Sequence, residues 1–129
     1  MNLAVDSKNK GFTLLEVLVS IVILSVGLLG MASLTVGIIK GNKLSNDLTT
    51  ATTLAQDKME EIRNGGYDGL PSSDTTDTED YGDITDYTQY KRVTETDVDT
   101  PATGMKTVTI KVYWASDDHH VELKTILAQ

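Results

Sequence analysis

The 129-residue chain is predicted to be an α+β protein in which a long N-terminal helix packs on a small antiparallel β-sheet head. Three observations predict this. Val17 to Ile39 contains no charged side chain. Leu44, Leu48, Ala51, Ala55, Met59 and Ile62 recur at spacings of 4, 3, 4, 4 and 3, and beyond Tyr90 the apolar period changes to two. Spacings of three and four keep side chains on one stripe of a helix, whereas a period of two keeps them on one face of a strand.

The uncharged run is 23 residues long. At ~1.5 Å of rise per residue it reaches about 35 Å, enough to cross a ~30 Å hydrocarbon core with some tilt. Residues 12–39 are therefore the transmembrane half of the helix and residues 40–64 its amphipathic half. Lys43, Asn46, Asp47, Asp57, Lys58, Glu60 and Arg63 fall mostly off the apolar stripe of that second half. Arg63-Asn64-Gly65-Gly66 is helix-ending chemistry, with a basic residue in the last turn and glycine free to adopt a left-handed cap. The predicted helix runs from Phe12 to about Asn64, roughly 80 Å.

Gly27, Gly30, Ser33, Gly37 and Gly41 lie in or just beyond the apolar half, with Ser33, Gly37 and Gly41 on one face. Small residues let helices approach closely, so these five are the candidate helix-packing positions.

Gly65 to Thr88 reads as an irregular acidic loop, and long connections of this kind are uncommon unless they have a role. Its acids do not follow the D-x-[DN]-x-[DN]-G pattern of a calcium loop, so the expected state is a solvated loop without metal. Asp77, Glu79, Asp80 and Asp83 are the ligands to test if calcium binds. Tyr90 to Val98 is the first predicted strand. In the second, Met105, Val108, Ile110, Val112 and Trp114 form the core side, with Lys106, Thr109, Lys111 and Tyr113 opposite. A third carries Val121, Leu123 and Thr125, after a turn at Ala115 to Asp118. Residues 65–129 are thus an acidic loop and a three-stranded antiparallel head.

The net charge is −8, and Asp68 to Asp99 carries all of it, with ten acids against Lys91 and Arg92. No basic patch is present, so nucleic acid is not an expected partner. The chain has no cysteine, which excludes disulfides and thiol chemistry. His119 and His120 are adjacent, and adjacent strand residues face opposite ways, so they do not make a metal pair. No nucleophile elbow, phosphate loop or dinucleotide fingerprint occurs, and the paired acids lack an apolar pocket that would raise a carboxylate pKa. An enzyme is not expected, and neither is a cofactor.

The order of the N-terminal signals is informative. Residues 1–11 are short and polar, with Lys8 and Lys10 beside the apolar run. An ordinary secretory signal is cut after its apolar stretch. Here Gly11-Phe12-Thr13-Leu14-Leu15-Glu16 precedes it, which resembles the class III leader of type IV pilins and pseudopilins. The resemblance implies cleavage between Gly11 and Phe12 by a prepilin peptidase, N-methylation of Phe12 and retention of the apolar helix on the mature chain. It also implies a role for Glu16 in assembly, neutralising the new α-amine of a neighbouring subunit. A carboxylate at the edge of hydrocarbon is costly, and pairing with that amine would satisfy both charges.

The Val26-Gly27-Leu28-Leu29-Gly30 stretch and Leu54-Ala55-Gln56-Asp57-Lys58-Met59-Glu60-Glu61-Ile62-Arg63 are similar to the PilV-type minor pilins, the type IV pilus modification proteins. That resemblance implies a minor pilin of an initiation or tip complex that supports pilus assembly and adhesion. Implied partners are other major and minor pilins and the inner-membrane assembly platform. The implied location is the bacterial inner membrane, with a periplasmic head, and the assembled surface pilus. Major pilins often have a proline in the apolar helix and a C-terminal disulfide, and this chain has neither. Two alternatives stand beside it: a minor pseudopilin of a type II secretion system, and an uncleaved single-pass membrane-anchored binding module.

Overall fold

The computed structural model describes residues 11–129. The elements in chain order are helix α1 (Leu14–Gly65), a 3-10 turn (Tyr67–Gly69) and strands β1 (Thr75–Glu79), β2 (Tyr90–Val98), β3 (Met105–Trp114) and β4 (His119–Ala128). The chain divides into two units between Gly41 and Asn42. Most of the predicted leader, residues 1–10, lies outside the described residues.

In the first unit α1 is apolar on all sides. Its one candidate membrane span is unburied throughout, and Leu15, Ile23, Leu29, Met31 and Ile38 are all exposed. Hydroxyls inside this stretch bond back to the helix: Ser20 Oγ donates to Glu16 O at 2.7 Å, Ser25 Oγ to Ile21 O at 2.7 Å and Thr35 Oγ1 to Met31 O at 3.0 Å. Each polar side chain is thus satisfied internally, the requirement hydrocarbon sets.

In the second unit the end of α1 covers one face of a four-stranded antiparallel sheet of order β1-β2-β3-β4. Tyr90 pairs with Trp114, Thr96 with Val108 and Ile110 with Leu123, so even-numbered residues of β2 and β3 face the helix. Ala51, Leu54, Ala55 and Met59 meet Tyr90, Val108, Ile110, Val112 and Trp114 there, joined by Ile84 from the loop. Full burial of each large aliphatic or aromatic side chain stabilises by roughly 1.5–3 kcal/mol, and the alanines let helix and sheet approach closely. α1 stops where Gly66, at φ +66°, donates its N–H to Ile62 O and Arg63 O at 3.1 and 3.2 Å. A side chain is strained in that conformation, which is why glycine stands there.

Four expectations are corrected. The head has four strands rather than three, because Thr75–Glu79 of the acidic segment pairs along β2 from Thr75↔Thr96 to Glu79↔Arg92. β1 lacks apolar alternation and is held instead by backbone pairing and by Arg92. On β3 it is Lys106, not Met105, that shares the inner face with Val108, and Lys106 is buried. The helical stripe is also shifted, with Leu54 buried and Leu44 and Leu48 about half exposed. Finally, α1 begins at Leu14 rather than Phe12, because Thr13 is its cap.

Candidate functional site

Gly11, Phe12 and Thr13 precede the helix without regular structure, and Leu14 opens it. Thr13 is the N-cap: its Oγ1 accepts the Glu16 N–H at 3.2 Å, and its carbonyl accepts Val17 N at 3.2 Å. Thr13-Leu14-Leu15-Glu16 has the Thr-x-x-Glu spacing of a capping sequence, a local signal for this helix start that is readable in the residues themselves. The cap places Glu16 in the first turn, where a carboxylate opposes the positive end of the helix dipole. Gly11, Phe12 and Glu16 are all exposed, so the scissile candidate bond and the carboxylate are open to another protein.

The candidate packing residues are exposed as well. A Cβ built on Gly27, Gly30, Gly37 or Gly41 meets nothing within 4 Å, and Ser33 Oγ donates to Leu29 O at 3.1 Å.

The four acids named for calcium separate. Glu79 accepts two bonds from Arg92, at 2.5 and 2.7 Å, and these hold its carboxyl below the ordinary range despite partial burial. Asp80 and Asp83 belong to a tight turn, in which Asp83 Oδ2 accepts Asp80 N at 2.9 Å. Asp77 lies on the inner face of β1, in register with Thr94. Among the described residues no group of three or more His, Asp or Glu side chains is placed to hold a metal. His119 and His120 do face opposite ways, the first against Trp114 and the second against Tyr113, with centroids 5.6 and 5.2 Å apart.

Two polar assemblies were not anticipated. Lys106 Nζ lies 4.2 Å from the Tyr67 ring centroid and donates to the carbonyls of Tyr67 and Leu70, both at 3.1 Å. The Tyr81 hydroxyl donates to Asp117 Oδ1 at 2.9 Å and accepts Asp117 N at 3.1 Å, while Lys91 bonds the other carboxylate oxygen. Lys91 and Tyr81 together hold the Asp117 carboxyl low, Lys91 most strongly. Both assemblies fasten loops to the sheet, and neither resembles a catalytic array.

Among known proteins, no curated sequence and no solved structure matches this chain. Residues 6–32 match the model of the prokaryotic N-terminal methylation motif, which spans the Gly11-Phe12 junction, Glu16 and most of the apolar run. The chain therefore begins with a type IV prepilin-like processing signal joined to a helix long and apolar enough to cross a membrane.

Proposed function

We propose that this chain is a minor type IV pilin, cut after Gly11 by prepilin peptidase, methylated on Phe12 and assembled into a pilus initiation or tip complex. The observation that carries the reading is the methylation motif set directly on an unburied apolar helix whose first turn holds Glu16. Cleavage would leave Phe12 and Thr13 ahead of the helix, with a new cationic amine beside its positive dipole end. Two like charges there are unfavourable, and an anion in reach offsets them. Glu16 of the same turn and of a neighbouring subunit supplies that anion. The exposed face with Gly27, Gly30, Ser33, Gly37 and Gly41 is where neighbouring subunit helices pack.

In this reading the chain sits first in the bacterial inner membrane with residues 17–39 in lipid and the head in the periplasm. It then moves into the filament, with the assembly platform and other pilins as partners, and supports pilus formation and adhesion. Isolation from native membranes, intact mass and terminal peptide sequencing test it. A mature chain starting at methylated Phe12 and recovered in sheared pili is expected. An intact Met1 terminus would refute it, and recovery only with a secretion complex would make the chain a type II pseudopilin.

A further inference from the structure

The helix covers β2 and β3 but leaves the inner face of β1 open. Between the last turns of α1, the segment after the 3-10 turn and strands β1 and β2 lies a cleft of about 380 Å³. A water's share of liquid volume is ~30 Å³, so the space is that of a small organic molecule, at the lower end of the usual range for ligand pockets.

Its floor is polar. Thr94 and Thr96 line it, and these residues are only 9% and 3% exposed. Among the described residues neither hydroxyl is bonded to another protein group and neither oxygen is sealed from solvent, so both open into the cleft, unlike Thr107 Oγ1, which donates to Thr100 O at 2.8 Å. Asp77 stands beside them on the inner face of β1, in register with Thr94, and forms no ion pair among the described residues. One wall is apolar, made by Ile62, Leu70 and Pro71. At the rim Lys58 is neutralised by Glu61 at 3.0 Å.

We infer that this cleft is a binding site for a neutral polyhydroxylated ligand, a single sugar ring at the end of a glycan. A hydroxyl both donates and accepts, so Thr94 and Thr96 are each fully satisfied only by groups that do the same. An ammonium is donor-only and would leave the threonine protons unused. An anion would meet Asp77 and Glu61. A sugar presents vicinal hydroxyls to the carboxylate and the threonines, and its C–H face to Ile62, Leu70 and Pro71. The site is independent of how the N-terminus is processed.

The test is saturation-transfer NMR on the full-length chain in a sugar-free zwitterionic detergent. The probes are the methyl glycosides of glucose, mannose and galactose, with sialic acid and Nα-acetyl-lysine methylamide as charged controls. Transfer from protein methyls to the ring protons of at least one neutral glycoside is expected. Thr94→Val, which keeps the side-chain shape, and Asp77→Asn should each weaken it about tenfold, the scale of one lost hydrogen bond in a desolvated site. Unchanged protection of the β3 and β4 amides certifies that the variants are folded. No transfer to any neutral glycoside, equal transfer in both variants, or preference for a charged control overturns the assignment.

Discussion

Arg92 and Glu79 meet as a two-bond fork across β2 and β1, with Nε 2.5 Å from Oε2 and Nη2 2.7 Å from Oε1. The remaining guanidinium nitrogen, Nη1, donates to Leu54 O at 3.2 Å. One side chain thereby ties an edge strand without apolar alternation to the sheet and to the helix. The planar guanidinium alone suits this geometry, since lysine has no second parallel donor.

The fork makes β1 sensitive to acid. Arg92 lowers the Glu79 pKa from its ordinary value of 4.5, so the folded state holds that proton less tightly than the unfolded chain. The stabilisation is complete above the ordinary value and disappears as pH falls through the lower folded-state value. Hydrogen exchange of the β1 amides should quicken in that acid window. Glu79→Gln should flatten the pH dependence and destabilise the head by roughly 1 kcal/mol, a modest figure because water partly screens the carboxylate. An unaltered acid response in Glu79→Gln would rule out this origin.

Lys106→Met tests the buried ammonium. The replacement fills the stem's volume but leaves the carbonyls of Tyr67 and Leu70 without their donor. Loss of charged hydrogen bonds of this kind destabilises by about 1.5–3 kcal/mol. Chemical denaturation should show a lower midpoint with little change in slope, and resonances of residues 66–71 should shift most.

The turn between β3 and β4 offers a stabilising change. Ala115, Ser116 and Asp117 have φ of 53°, 60° and 70°, and none is glycine. A left-handed alanine costs ~1–2 kcal/mol, while glycine adds ~0.5–1 kcal/mol of unfolded-state entropy. Ala115→Gly is therefore expected to raise thermal stability slightly. Asp117→Ala should lower it, because Tyr81 and Lys91 both lose their partner. A thermal melt of each variant decides the signs.

Much of this was legible because the responsible signals are local. The apolar run, the Gly66 terminus and the β2 and β3 boundaries all follow from composition or period, and the observed strands begin and end at Tyr90, Val98, Met105 and Trp114. β1 was not legible, since Thr75-Thr76-Asp77-Thr78-Glu79 has no apolar period and its partner Arg92 lies 13 residues away. The inner-face position of Lys106 was hidden for a related reason. A charged residue at a core position is recognisable only when the carbonyls that accept its protons, here from residues 67 and 70, are known to lie opposite. The cleft floor follows the same logic, because threonine suits either face of a strand and its burial depends on where the helix stops.

The N-terminal segment yields the sharpest separation of roles. Gly11 precedes the helix with open space around it, and we propose that it is read by the peptidase, whose approach a side chain would obstruct. Gly11→Val should therefore leave an uncut chain in the membrane. Glu16 lies beyond the proposed cut, and its backbone N–H, rather than its carboxylate, is bonded to Thr13. Glu16→Ala thus keeps the cap and the helix start, so cleavage and methylation should proceed as before. What it lacks is the anion for the Phe12 amine of a neighbour, and its recovery in sheared filaments should fall at least tenfold while its membrane level stays normal. Glu16→Gln separates charge from hydrogen bonding: it keeps the shape and an acceptor oxygen but not the charge, and it should fail as Glu16→Ala does. Efficient incorporation of the glutamine variant would mean that Glu16 acts through its hydrogen bonds alone, and the charge-pairing role would be abandoned.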